Sequence, residues 1–274
     1  MKTEIITEKQ DLTYLNWSRT RGSSGTAGSF LKAYSDLGGV KTYYKLSNYD
    51  VVHGIVGHES VNELIVDRLL TRLGIEHLHY KLIHADIIVD GRKTETWLCA
   101  SEDFKQKGES KIALDQFYAA EREPDETPLN FCLRMGWGNY IRNMLLVDYI
   151  ILNRDRHGAN IEILRNSRTR TYRPAPLFDH GLSLLCRCGD AESVRAFDVM
   201  EDRPIQCFVG SRSAWDNLKL IPREELPVIA PPDPDFKKEL VSGLDAALPR
   251  LWLDKIWEMI YRRWCAYEDF CDKE

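Results

Sequence analysis

The chain has 274 residues, of which 43% are hydrophobic, enough to bury one large core or two modest ones and too many for an intrinsically disordered protein. Its 37 basic and 42 acidic residues leave a net charge of −5, so there is no global electrostatic footprint for nucleic acid or an anionic membrane. Seven cysteines, an odd count with no Cys-x-x-Cys pair, fit a reducing compartment, and no signal-like or membrane-length apolar run (~18 residues) stands in the sequence, which predicts a cytoplasmic chain.

In chain order, residues 18–32 come first as a small-residue segment with Gly22, Gly25 and Gly28. Backbone without side chains approaches phosphate oxygens closely, and Ser23, Ser24 and Thr26 add hydroxyl donors. A flexible linker has the same composition, and the segment matches neither common glycine-rich phosphate motif. The lysine-bearing strand behind it favours a phosphate-covering loop built on Ser24, Gly25 and Thr26. That strand is 41–46, aromatic-rich, after the Gly38-Gly39 turn. Lys45 is its candidate nucleotide-binding lysine, with Lys41 as a rival on the same face.

Residues 60–73 predict a helix, with Val61, Leu64, Ile65, Leu69 and Leu73 on one stripe and Gly74 as its stop. Glu63 has two readings: partner of Lys45, or last member of a Ser60-to-Glu63 capping box. Residues 80–89 and 94–99 predict a hairpin around Asp90-Gly91. Residues 101–110 read as a crossing between two lobes, with adenine contacts from the backbone of 98–100. His77, His79 and His84 read as ordinary surface histidines, and Cys186-x-Cys188 lacks a second pair for zinc.

Residues 139–152 predict a helix apolar on several faces that ends just ahead of Asn153-Arg154-Asp155-Arg156-His157-Gly158-Ala159-Asn160. Strand-like runs at 161–164 and 172–178 then flank a polar turn and lead into Asp179-His180-Gly181. An acid followed by an amide in the order Asp-x-x-x-x-Asn, with a second acid beyond a hairpin, is the layout of a phosphoryl-transfer site. Such chemistry needs one carboxylate to meet the attacking hydroxyl, here Asp155, and hard oxygen ligands for Mg2+, here Asn160 and Asp179. Beyond residue 185 the chain reads as helices at 236–248 and 251–267, after a proline-rich surface connection at 222–234, with Trp252, Trp257 and Trp264 in the core.

The motifs written NRDRHGAN and PLFDHGLSL, with YYKLS and VNELIVDRLLTRLGI ahead of them, make residues 20–185 similar to the HipA-like serine/threonine kinases. With only residues 1–17 ahead of the small-residue segment, the layout resembles short, kinase-only forms of the CtkA type. The resemblance implies an α+β, bilobal protein-kinase-like fold, with a small antiparallel-sheet N-lobe holding one helix (1–100) and a mainly helical C-lobe (101–274). It implies ATP and Mg2+ as cofactors, Asp155 as the catalytic aspartate, Lys45 on the nucleotide and Asn160 and Asp179 on the metal. His157 stands where other protein kinases place a lysine that touches the transferred phosphate, or is a buried structural histidine. Family members phosphorylate a serine of their own phosphate loop, which points to Ser23, Ser24 or Ser29. The implied partners are a protein substrate, or the kinase itself, and an antitoxin-like regulator, with neither nucleic acid nor membrane. Two other readings stand beside this one: a phosphoinositide or small-molecule kinase, since lipid kinases share a D-R-H-x-x-N loop, and a nucleotide-binding pseudokinase.

Overall fold

The computed structural model describes residues 4–20, 27–36, 39–231 and 233–272, with side chains at all of these except 19, 20 and 27–29. Its N-terminal part is a six-stranded sheet, built from β1 (Ile5–Asp11), β2 (Ser18–Thr20), β3 (Ala27–Ser35), β4 (Thr42–Lys45), β7 (Lys81–Val89) and β8 (Arg92–Glu102), in the spatial order β1-β7-β8-β4-β3-β2. The Asp90-Gly91 turn is formed as expected, both residues having positive φ (51° and 74°), the requirement of a tight two-residue hairpin. Every ladder in this sheet is antiparallel except that of β1, a strand the sequence reading did not foresee, which pairs parallel with β7. The loop serines and glycine singled out above, Ser23, Ser24 and Gly25, lie with Thr26 outside the described residues, as does the side chain of Ser29.

A two-strand pair, β5 (Tyr49–Asp50) with β6 (Gly54–Ile55), leads into helix α1 (Glu59–Leu73), closed by Gly74 at φ 67°. The remainder is mainly helical: α2 (Leu114–Glu121), α3 (Pro128–Arg134), α4 (Gly138–Ile150), α5 (Ala191–Ala196), α6 (Ala214–Leu218), α7 (Phe236–Val241) and α8 (Arg250–Asp272). Helix α7 stops short of the expected 248 because Gly243 takes φ 73° and turns the chain out of the helix. The proline-rich connection lies along α8, where Trp264 Nε1 donates to Ala230 O (3.1 Å) and Tyr267 Oη to Pro227 O (2.6 Å). Trp264 is buried, and Trp252 and Trp257 pack against the core from partly buried positions.

Two small sheets complete the fold. The expected hairpin is β11 (Glu162–Asn166) with β12 (Thr171–Pro174), and β9 (Glu109–Ala113) adds a third strand on the other side of β11. The crossing is therefore shorter than 101–110: β8 runs to Glu102 and β9 begins at Glu109. The two-residue β10 (Asp155–Arg156) pairs with β13 (Gln206–Cys207).

The apolar faces of the first sheet serve two cores. Adjacent residues of β7 point to opposite faces, so Leu82 joins the cluster shared by α1, α4 and α8, while Ile83 joins Leu46, Ala85, Ile87 and Leu98 on the other face. Burying α4 on nearly all sides places the chain at Leu152 deep in the larger core, directly ahead of the segment that carries Asp155.

Candidate active site

The site grows from two points, a lysine on β4 and a loop at the end of α4. Lys45 is 8% exposed, and Lys41 lies outside, with its ammonium over the rings of Tyr34 (4.3 Å) and Tyr43 (5.2 Å). Lys45 Nζ meets Glu63 Oε1 at 2.7 Å and also pairs with Asp179. Burial by itself would lower the lysine, but the Asp179 and Glu63 carboxylates outweigh it and hold the ammonium above the usual lysine value.

The capping-box reading of Glu63 does not hold. Helix α1 begins at Glu59, so Ser60 already lies inside it, and Ser47 Oγ accepts the Ser60 N–H (3.0 Å). Glu63 is fully buried and faces the other way, taking Lys45 on Oε1 and the His180 N–H on Oε2 (2.9 Å). One carboxylate thus joins β4, α1 and the Asp179-His180-Gly181 turn.

Asp179 has φ 60°, a left-handed conformation that Asp tolerates better than most residues, and its N–H reaches Tyr80 Oη (3.4 Å). Lys32, on β3, approaches its second carboxylate oxygen at 3.8 Å. Gly181 sits close against the cluster: a Cβ there would stand 3.0 Å from Glu59 Cβ and 3.3 Å from both Glu63 Oε1 and Lys45 Nζ, so these side chains would have to give by a few tenths of an ångström.

The Asp155 loop is held from behind by a buried pair that sequence reasoning missed. Arg156 is fully buried and forks onto Asp148 of α4 (Nε to Oδ2 2.9 Å, Nη2 to Oδ1 2.8 Å). Its remaining nitrogen, Nη1, donates to Phe178 O (3.0 Å) and Asn160 O (3.3 Å), so one guanidinium spans the residue before Asp179 and the residue proposed as metal ligand. Asn153 Nδ2 adds a bond to Asp148 Oδ1 (2.8 Å). The available signal was Asp148 itself, an acid in a helix apolar on almost every face.

In front of this support, Asn160 Nδ2 donates to Asp155 O (2.8 Å) and Oδ2 (3.2 Å). His157 is not buried, its side chain being 37% exposed; its Nδ1 accepts the Ala159 N–H (3.2 Å) and its Nε2 faces Asp155 Oδ1 at 3.6 Å. The structure therefore brings Lys45, Glu63 and Asp179 together, joins Asp155 to Asn160 and His157, and links the two groups through Arg156. The donors fit Mg2+ chemically: the Asn160 amide oxygen and the Asp179 carboxylate are hard oxygens, and Asp179 is already facing two lysine ammoniums.

The expected adenine edge, the backbone of 98–100, lies inside the six-stranded sheet. Cys99 and Ala100 lie between β7 on one side and β4 on the other (Cys99 opposite both Leu82 and Lys45), and Leu98 is opposite Ile83 of β7, so this stretch is largely engaged in the sheet. Pairing with β7 ends at Ala100, which moves the available backbone edge to 101–103, next to Phe104, whose ring lies 5.8 Å from that of Phe178.

No family model matches the sequence, and no curated protein does. Among solved structures, the Helicobacter pylori proinflammatory kinase CtkA aligns over 96% of this chain and 98% of its own, with a TM-score of 0.62 at 13% identity. The chain has the CtkA kinase fold. The sheet-rich N-terminal part and helical remainder of this CtkA-like fold agree with the expected α+β class and the resemblance to HipA-like kinases. HipA of Shewanella oneidensis MR-1, in its complex with HipB and operator DNA, aligns over 93% of this chain and 59% of its own, at 17% identity and a TM-score of 0.42. Among the described residues, no helix is long and apolar enough to cross a membrane.

Proposed function

We propose that this protein is an ATP-dependent kinase that transfers the γ-phosphoryl group to a serine or threonine hydroxyl of a protein, including its own phosphate-loop serines. The observation that carries the reading is the joining of two sequence-distant sets of charge, Lys45-Glu63-Asp179 and Asp155-Asn160, through the buried Arg156. Phosphoryl transfer is catalysed mostly by positioning and charge neutralisation, and this arrangement supplies both.

In the proposed roles, residues 1–100 and 101–274 act as two lobes around the nucleotide, with the adenine at 101–104 and residues 23–26 over the phosphates. Lys45, kept in place by Glu63, pairs with the α and β phosphates. Asn160 and Asp179 would hold magnesium, which supplies neutralisation of the charge developing on the β and γ phosphates. Asp155 accepts the proton of the attacking hydroxyl as its oxygen bonds to the γ phosphorus and the bond to the β-γ bridging oxygen breaks, releasing ADP. His157 would donate to the moving phosphoryl group, a role supported by its partly exposed position beside Asp155.

The test is the intact mass of phosphatase-treated protein before and after incubation with Mg-ATP, with Asp155→Asn alongside. Gain of phosphate by the wild type, at least ~100-fold faster than by the variant, is expected. Equal gain by both would remove Asp155 from the mechanism. No gain by either, with transfer to phosphoinositides, would instead favour the lipid-kinase reading.

A further inference from the structure

Beyond the active-site cluster, α1 and the segment after it bring together Asp67, His77 and His79, whose ligand atoms all lie within 4.8 Å of one another. Sequence reasoning grouped His77 and His79 with His84 as ordinary surface residues. His84 is indeed elsewhere, stacked on Trp97 and paired with Glu95 (2.8 Å), but His77 is buried.

The hydrogen atoms around His77 do not add up for a neutral ring. Its Nδ1 lies 2.6 Å from Ile75 O, a group that only accepts, so Nδ1 carries the hydrogen. Neutral imidazole then has a lone pair on Nε2, and that atom is 2.9 Å from Asp67 Oδ1, where a second lone pair faces it. Thr71 Oγ1 stands 3.4 Å from each of these atoms, but its single hydrogen serves only one of them, so a positive species between the two, a proton or a metal ion, is what satisfies both. A histidine that donates its far N–H to a backbone carbonyl and turns its other nitrogen toward a carboxylate is oriented as metal-bound histidines are.

The rest of the group fits the same chemistry. Asp67 Oδ2 is committed to the Tyr80 N–H (2.6 Å), which leaves Oδ1 as a single-oxygen ligand. His79 Nδ1 lies 3.0 Å from the same oxygen, and its side chain is 75% exposed, giving an ion a way in and a solvent-filled fourth position. Ligand atoms in a tetrahedral zinc site stand ~3.3 Å apart, given bonds of ~2.0–2.1 Å. The 3.0 Å contact of His79 and the third pair, His77 to His79, which lies within 4.8 Å, can adjust by rotation of the exposed His79 ring, whereas the 2.9 Å contact between the buried His77 and Asp67 would have to open by a few tenths of an ångström.

We propose that Asp67, His77 and His79 form a binding site for a divalent transition-metal ion, zinc by its nitrogen and carboxylate donors, separate from any magnesium bound by Asp179. Such an ion would fasten α1 to the segment that hydrogen-bonds to Leu177 (Leu78 N to Leu177 O 2.8 Å, Leu177 N to Glu76 O 3.2 Å), two residues before Asp179. The inference does not depend on the proposed catalysis.

The experiment titrates chelator-treated, dialysed full-length protein with zinc against a fluorescent zinc indicator, and separately with cobalt(II) read by visible absorption, alongside His79→Ala and Asp179→Asn. One zinc per chain and a tetrahedral cobalt spectrum are expected, weakened at least ~10-fold in His79→Ala and retained in Asp179→Asn. Equal binding by wild type and His79→Ala, or loss in Asp179→Asn with retention in His79→Ala, would overturn the site. So would an absence of binding, which would make the species between Asp67 and His77 a proton.

Discussion

Single residues here act less by their own chemistry than by what they hold in place. Arg156 is the clearest case. Its guanidinium neutralises Asp148 inside the core and spends its last donors on the carbonyls of Phe178 and Asn160. Removing one member of a buried pair strands the other charge, which typically costs ~3–5 kcal/mol, whereas replacing both with apolar side chains is often near neutral. Arg156→Met should therefore lose stability in that range by urea denaturation, and Arg156→Met with Asp148→Leu should recover most of it. A loss below ~1 kcal/mol in the single variant would show that the pair does not hold the loop. Asp155 and Asn160 could be read from sequence because they sit within one short loop of fixed spacing. Arg156 was not read, since the one signal was Asp148 on the preceding apolar helix and nothing among the neighbours of Arg156 says that it turns inward to that acid.

At the scale of elements, the fit between the Asp155–Asn160 loop and α2 is a matter of backbone contact. A Cβ on Gly158 would meet Asp115 Cβ at 2.6 Å, Phe208 Cδ2 at 3.0 Å and Asp115 N at 3.1 Å, and the last of these is backbone at the start of a helix. Gly158→Ala should push the loop off α2, costing ~1–3 kcal/mol in stability. If the proposed chemistry is right, it should also lower phosphate transfer on the order of 100-fold, through displacement of Asp155 and Asn160. Gly189→Ala, where a Cβ meets nothing within 4 Å, should change neither and serves as the control. Intact-mass kinetics and thermal melting read both effects, and wild-type transfer rates in Gly158→Ala would refute the argument. The elements most legible in sequence were those with local signals: α1 from its apolar stripe and Gly74, and the β7–β8 hairpin from Asp90-Gly91. β1 was missed because its burial is shallow and its register is set by β7, more than seventy positions away (Ile5 opposite Leu82).

For the whole molecule, the larger core runs without a break from Val61 on α1 to Phe270 on α8, and Arg68 of α1 donates to the carbonyls of Leu240 (3.0 Å) and Ser242 (2.8 Å). Helix α1 is therefore packed against the helical part as well as against its own sheet. Tryptophan fluorescence and far-ultraviolet dichroism should report one coincident unfolding transition, and two separated transitions would contradict a shared core. Its midpoint should also depend on acid. His180 is 2% exposed with Nε2 unpartnered among the described residues, and burial, aided by Arg156, holds its pKa well below the usual value near 6.5. Burial likewise lowers His58 to about 4. Above pH ~6.5 both are neutral folded and unfolded, so the full stability is present. Below it the unfolded chain takes up protons that the folded chain refuses, so stability falls toward pH 4, at up to ~1.4 kcal/mol per pH unit for each histidine. Flat stability between pH 7 and 5 would refute this.

Residue order alone was enough for the lysine strand, the helix after it and the spacing of Asp155, Asn160 and Asp179, because turns, caps and apolar periodicity act between neighbours, and the α+β class followed from the family resemblance those motifs carry. Pairing over long distance had to be seen in three dimensions. Glu63 had two readings, partner of Lys45 or cap of its own helix, until the fold turned it to Lys45 and the His180 N–H, and the backbone at Cys99 and Ala100 looked available until strands closed on both its sides. His77 looked like surface until it was buried against Asp67. In each case the deciding energy is the cost of burying a polar group without its complement, and which complement arrives depends on segments far away in the chain.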